Sequence, residues 1–192
     1  MIWLGWSSSA ADPPGRRWWP STGTAPAARP PWPGGWRPGL PRAAVLHTDL
    51  AWHQGIFTWD RLLRDDVLPV VHAGEALDYR PPAWHARSRT GSISVPGSLE
   101  FLVVEGVGAS QEAIRTHYDV VIWVETDEPT RLARDLPRLA DGEMSPADYA
   151  SWMAEENAYV TRERPWEHAD LLVYGGDSIP HDPDTQAVIA ER

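Results

Sequence analysis

The chain is 192 residues long, carries a formal net charge of −10 and has no cysteine. Its length suits one domain with a sizeable core. The acidic balance argues against a general nucleic-acid-binding surface, and without thiols neither a disulfide framework nor a thiolate metal site can be built. No apolar run is long enough to span a bilayer. Met1–Ala11 lacks the basic start and unbroken apolar stretch of a secretory leader, which predicts a cytoplasmic protein with no membrane partner.

Residues 1–41 differ in composition from the remainder. They hold nine of the 19 prolines, six of the 12 tryptophans, four arginines and one acid, so they carry +3 and the remainder −13. Pro31–Gly39 (PWPGGWRPG) suits neither a helix nor a central strand. With no apolar periodicity across it, the segment is expected to be irregular. One reading is a disordered Pro-rich tail. The tryptophan content favours another, because a Trp/Pro/Gly/Arg/Ala mixture is what a GC-rich gene yields when translated out of frame. Trp has a single codon, so a shifted frame forces Val-Ala from Trp18-Trp19-Pro20 and Ala from Trp32-Pro33. Across Trp18–Pro38 the shifted frame admits V-A-V-D-G-H-S-A-G-G-K-T-T-L-A-R-R-L-A-A. That string holds a strand, a G-x-x-x-x-G-K-[ST] phosphate loop and the start of an amphipathic helix. The organisation read from the sequence is thus an irregular, out-of-frame segment over 1–41 and a folded domain over 42–192.

Ala43–His47 predicts a short buried strand ending at Thr48-Asp49. Trp59, Leu62, Leu63 and Val67 recur at helical spacing over Trp59–Leu68, and Pro69 is expected to end that helix. Gly74–Trp84 (GEALDYRPPAW) is turn-rich and reads as a loop. Leu99–Val104 and Tyr118–Val124 are continuous apolar runs, as buried parallel strands show. Between them Ser110 suits the cap of a short helix reaching His117. Pro129–Leu139 predicts a helix bearing Arg131, Arg134 and Arg138. Ser145-Pro146-Ala147-Asp148 combines an N-cap, a proline at the first helical position and an acid at the third, opening a helix to about Arg162. Ala169–Tyr174 is the last predicted strand, and a polar tail follows. The alternation predicts an α/β fold, a parallel sheet flanked by helices.

Several positions carry candidate chemistry. Phe101–Gly106 delivers Glu105 to the C-terminal end of a strand, the edge where open α/β sheets bind ligands. A carboxylate there can hold Mg²⁺ directly or through water, or can cap the next turn. Asp49 can orient and deprotonate an attacking hydroxyl, or be a strand-end turn residue. The spacing His47-x-Asp49-x-x-x-His53 suggests metal ligands, but no second cluster completes the shell such a site requires. Arg131, Arg134 and Arg138 can cover transferring phosphates or line a solvated helix face. Tyr79, Arg80 and Trp84 can bracket a base or sugar, or pack around Pro81-Pro82. Trp152, Met153 and Tyr159 read as core.

Taken in order, HTDLAWHQG (47–55), GEALDYRPPAW (74–84), VVEGVGA (103–109), YDVVIWVETD (118–127) with its arginine helix, and WMAEENAYV (152–160) followed by RPWEHADLLVYG (164–175) resemble the uridine kinase-like branch of P-loop kinases, over about Ala43 to Gly176. The resemblance implies a nucleoside kinase-like P-loop NTPase fold with ATP and Mg²⁺ as cofactors. It implies phosphoryl transfer to a hydroxyl of a nucleoside-like small molecule. It gives Asp49 the acidic position that activates the acceptor, Glu105 the Walker B acid beside the metal, and Arg131 and Arg134 the lid. Arg138 falls on the cofactor side, and His47, Tyr79, Arg80 and Trp84 on the acceptor side. Two features depart from the pattern. Leu50 follows Asp49 where relatives often carry a second acid. All 17 basic residues are arginine, so the Walker A lysine, with its loop and strand, is missing. The chain is therefore expected to be catalytically inactive; the alternative is a non-catalytic pseudo-kinase that keeps the acceptor pocket and recruits a partner through a disordered Pro/Trp-rich tail.

Overall fold

The computed structural model describes residues 2–7, 42–48, 57–126, 128–142, 145–175, 179–180, 182 and 187–190, except the side chains of 2–7, 128, 131, 134, 138 and 190. In chain order the strands are β1 (Ile2–Ser7), β2 (Ala43–His47), β3 (Leu77–Tyr79), β4 (Ile93–Val95), β5 (Phe101–Glu105), β6 (Val120–Glu125), β7 (Leu171–Tyr174) and β8 (Val188–Ala190). The helices are α1 (Leu68–His72), entered through a π-helical segment Leu62–Val67, then α2 (Pro82–Ala86), α3 (Glu112–Arg115), α4 (Glu128–Ala140) and α5 (Pro146–Glu163).

Six strands form one sheet in the order β2-β5-β1-β6-β7-β8, and β3 and β4 form a separate antiparallel pair. Every pairing from β2 across to β7 is parallel, and only β8 runs antiparallel at its edge. The four strands expected from apolar runs thus lie parallel in one sheet. The continuity of those runs has a physical cause: a parallel sheet covered on both faces buries successive residues on opposite sides. On one face Leu46, Leu102, Val104, Val121 and Trp123 join a core with Trp59, Leu63, Leu68, Ile114, Tyr159 and Val160. Val103 and Val124, of opposite parity, are buried as well.

Four local expectations are corrected. The irregular reading of 1–41 does not hold for Ile2–Ser7, which pairs parallel with both β5 and β6, so the domain has a strand at the place where the sequence reading left none. Composition averaged over a Pro-rich segment concealed a six-residue, proline-free run rich in strand-forming Ile and Trp. Residues 8–41, including Trp18–Pro38, lie outside the described residues. Pro69 does not end its helix: it sits in the first turn of α1, which continues to His72. A proline ring clashes with the carbonyl four residues back, and the wider turns of Leu62–Val67 immediately before it relieve that clash. The loop over Gly74–Trp84 contains β3 and the start of α2. The polar tail contributes β8.

The start of α5 follows its sequence. Ser145 Oγ accepts the Asp148 backbone N–H at 3.1 Å, and the helix closes on Arg164, whose φ of 43° is left-handed. Among the described residues no helix is long and apolar enough to cross a membrane.

Candidate functional site at the C-terminal edge of the sheet

In the parallel register of β2 and β5, His47 stands beside Glu105. Both are the last residues of their strands, so the sheet brings them to one edge, and His47 Nδ1 is bonded to Glu105 Oε1. The side chains retain 35% and 16% of their exposure, so the pair is reachable from solvent. Immediately behind it Thr48 is buried against Gly106. A Cβ at Gly106 would fall 2.1 Å from Thr48 Oγ1, and its φ of +128° is one that side chains rarely adopt. Only glycine fits, which explains the Glu105-Gly106 step.

The turn that follows Glu105 is pinned from several sides. Ala109 N–H donates to the Gly106 carbonyl and Gln111 N–H to the Gly108 carbonyl, each at 3.2 Å. Tyr118 Oη donates to the Ala109 carbonyl at 2.7 Å. Ser110 Oγ lies 3.3 Å from Tyr159 Oη, and Phe57 stacks on Tyr159 with ring centroids 4.4 Å apart. Burial is the main reason that the hydroxyls of Tyr118 and Tyr159 ionise well above the ordinary tyrosine value. Ser110, expected to cap α3, instead faces Tyr159, and the helix begins after Gln111. Two polar atoms near this edge are buried without a hydrogen-bond partner, Gln111 Nε2 and, just after β6, Thr126 Oγ1.

The other predicted residues divide between two places and the undescribed part. Asp49 lies outside the described residues. Arg131, Arg134 and Arg138 ride on α4, with side chains outside the description. Tyr79, Arg80 and Trp84 gather at the β3–β4 hairpin. Tyr79 Oη donates to Asp66 Oδ2 at 2.6 Å, and burial, then that bond, raises its pKa. Arg80 Nη2 donates to the Arg89 carbonyl. Trp84 is only 5% exposed, and the Arg89 guanidinium lies 3.8 Å from its ring centroid. Arg89 was not singled out from the sequence. Its position five residues after an aromatic in a turn-rich stretch was the available hint, since a guanidinium packs well on an indole face.

Among the described residues no group of three or more His, Cys, Asp or Glu is arranged to hold a metal ion. Mg²⁺ is commonly held by one or two carboxylates together with substrate phosphates. Glu105 fits that limited role, although His47 engages one of its oxygens. No protein-family model matches the chain, and no curated protein matches it.

Proposed function

We propose that this chain has a nucleoside kinase-like P-loop fold, built for ATP-dependent phosphoryl transfer to a hydroxyl of a nucleoside-like small molecule, and that this exact sequence is inactive. The observation that carries the reading is Glu105, a carboxylate delivered by a parallel strand to the sheet's C-terminal edge and held there by His47 of the neighbouring strand. The strand order supports it. The chain passes from β1 to β2 on one side and from β6 to β7 on the other. Neighbouring strands whose connections leave in opposite directions open a crevice at their C-terminal ends, the ligand-binding place of open α/β sheets. ATP would supply the phosphoryl group and Glu105 would help hold its Mg²⁺. Asp49 would take the acceptor's proton, and Arg131 and Arg134 would neutralise charge on the transferred group. The inactivity follows from the sequence: with no lysine anywhere, the phosphate loop lacks its point charge.

Calorimetry tests both halves. The chain as it stands is expected to show no saturable ATP–Mg²⁺ binding in the micromolar range. Tight binding would overturn the inactivity. A protein carrying the shifted-frame sequence across Trp18–Pro38 is expected to bind ATP and to release ADP only when a nucleoside is present. If it does neither, the kinase reading fails. The missing lysine also favours a second reading, a pseudo-kinase that binds without turnover. That reading requires nucleoside binding by the unaltered chain.

A further inference from the structure

The hairpin formed by β3 and β4, with α2 between them, gathers hydrogen-bond donors, among them Arg80 Nε and the Trp84 indole N–H, which are buried without an acceptor. Arg80 gives one N–H to a neutral carbonyl, that of Arg89, while its Nε is out of solvent and has no partner. Trp84 Nε1 is likewise buried without one. Arg42, Arg64, Arg115 and Arg164 each face a carboxylate, but among the described residues no acid pairs with Arg80. Buried donors and a cation without a counter-charge are costly unless something accepts from them.

The chemistry of the missing acceptor can be read from the donors. Guanidinium and indole N–H groups donate and never accept, so they match a ligand group made of acceptors alone. A nucleobase edge mixes donors and acceptors and matches poorly. Trp84 also offers no open face on which a base could stack, because it is buried and Arg89 covers its ring. The surrounding backbone is set: Arg87 N–H donates to the Ala83 carbonyl at 3.1 Å and Arg89 N–H to the Trp84 carbonyl at 2.9 Å. Stacking on Trp84 fixes the plane of the Arg89 guanidinium, and with it the direction in which its edge can donate.

We propose that Arg80, Arg89 and the Trp84 indole form an oxyanion-binding site that clamps a carboxylate or phosphate group of a small-molecule ligand. The site goes beyond the phosphotransfer reading and stands on the hairpin alone. Arg80 is the entry, being the part-exposed member of the pair of unpartnered groups, and its fork can hold two oxygens at once.

The test follows the Trp84 indole N–H resonance of the full chain by nitrogen-15 NMR, assigned by its disappearance in Trp84→Phe. Inorganic phosphate and malonate are titrated separately, against sodium chloride at the same ionic strength. A saturable shift is expected, and in Arg80→Gln the affinity should fall by about tenfold or more, as for a lost charge-assisted bond. Saturation with phosphate alone assigns a phosphate ester as ligand, and with malonate alone a carboxylate. No shift beyond that of chloride, as an ordered water in place of a ligand would give, overturns the proposal. An affinity unchanged in Arg80→Gln also overturns it. If circular dichroism shows that Arg80→Gln does not fold, Arg80→Lys replaces it, keeping the charge but losing the fork, with a weaker affinity again expected. No nucleotide enters the experiment, so its failure leaves the phosphotransfer reading standing.

Discussion

At the C-terminal edge of the sheet, Glu105 meets His47 and the turn behind it is tied to Tyr118 and Tyr159. In the β3–β4 hairpin, Arg80 donates only to a carbonyl, and the Trp84 indole lies under the Arg89 guanidinium while its N–H has no acceptor. The edge is held by polar contacts and by a glycine that nothing else can replace. The hairpin is held by burial of an indole beneath a guanidinium. Where the first region would respond to a change of backbone shape, the second would respond to loss of apolar area.

Alkaline titration should separate the two regions most strongly. Tyr118 and Tyr159 have pKa values raised by burial. The unfolded chain therefore releases their protons first, and their contribution is fully present below the ordinary tyrosine pKa of about 10 and lost as pH rises above it. Each such group removes about 1.4 kcal/mol per pH unit in that range. Urea denaturation from pH 8 to 12 should show stability falling above pH 10, with a shallower fall in Tyr159→Phe. Tyr79, raised in the same direction but more exposed, should contribute less, and Tyr79→Phe should leave most of the fall in place. A fall unchanged in Tyr159→Phe would remove the edge from the account.

Trp84→Ala should come next, costing about 3–5 kcal/mol as a buried indole lost from a packed site, read as a lower midpoint in urea. A cost under about 1 kcal/mol would mean that the hairpin does not depend on this ring. Gly106→Ala should cost about 1–3 kcal/mol from its backbone conformation alone, with the Thr48 contact adding to it. Combining it with Thr48→Ala should return part of the loss and leave the backbone share.

The sequence was most legible where burial is continuous or a cap is unambiguous. Ala43–His47 matches β2 at both ends, and Ser145 through Asp148 opens α5 as read. β5, β6 and β7 were found with their starts two residues early, because an apolar run marks a buried segment but not where its pairing starts. β1 was hidden by the composition around it. β3 spans three residues between Gly74 and Pro81-Pro82, too short for an alternation to show against those turn residues. Of the candidate site, the meeting of His47 and Glu105 required the register of two strands that are distant in sequence. The Arg89–Trp84 stack required a turn whose geometry no local pattern announces.

The π-helical turns of Leu62–Val67 tie the shape of this helix to the proline that follows them. Each of their hydrogen bonds closes from i to i+5 in place of i to i+4, so the segment carries more residues for its span than an α-helix would. Pro69 follows these turns, and its ring would crowd the carbonyl four residues back in a regular α-helix. Replacing Pro69 by Ala removes that crowding, so the turns of Leu62–Val67 are free to tighten toward regular i to i+4 bonding and shift the side chains they carry around the helix axis.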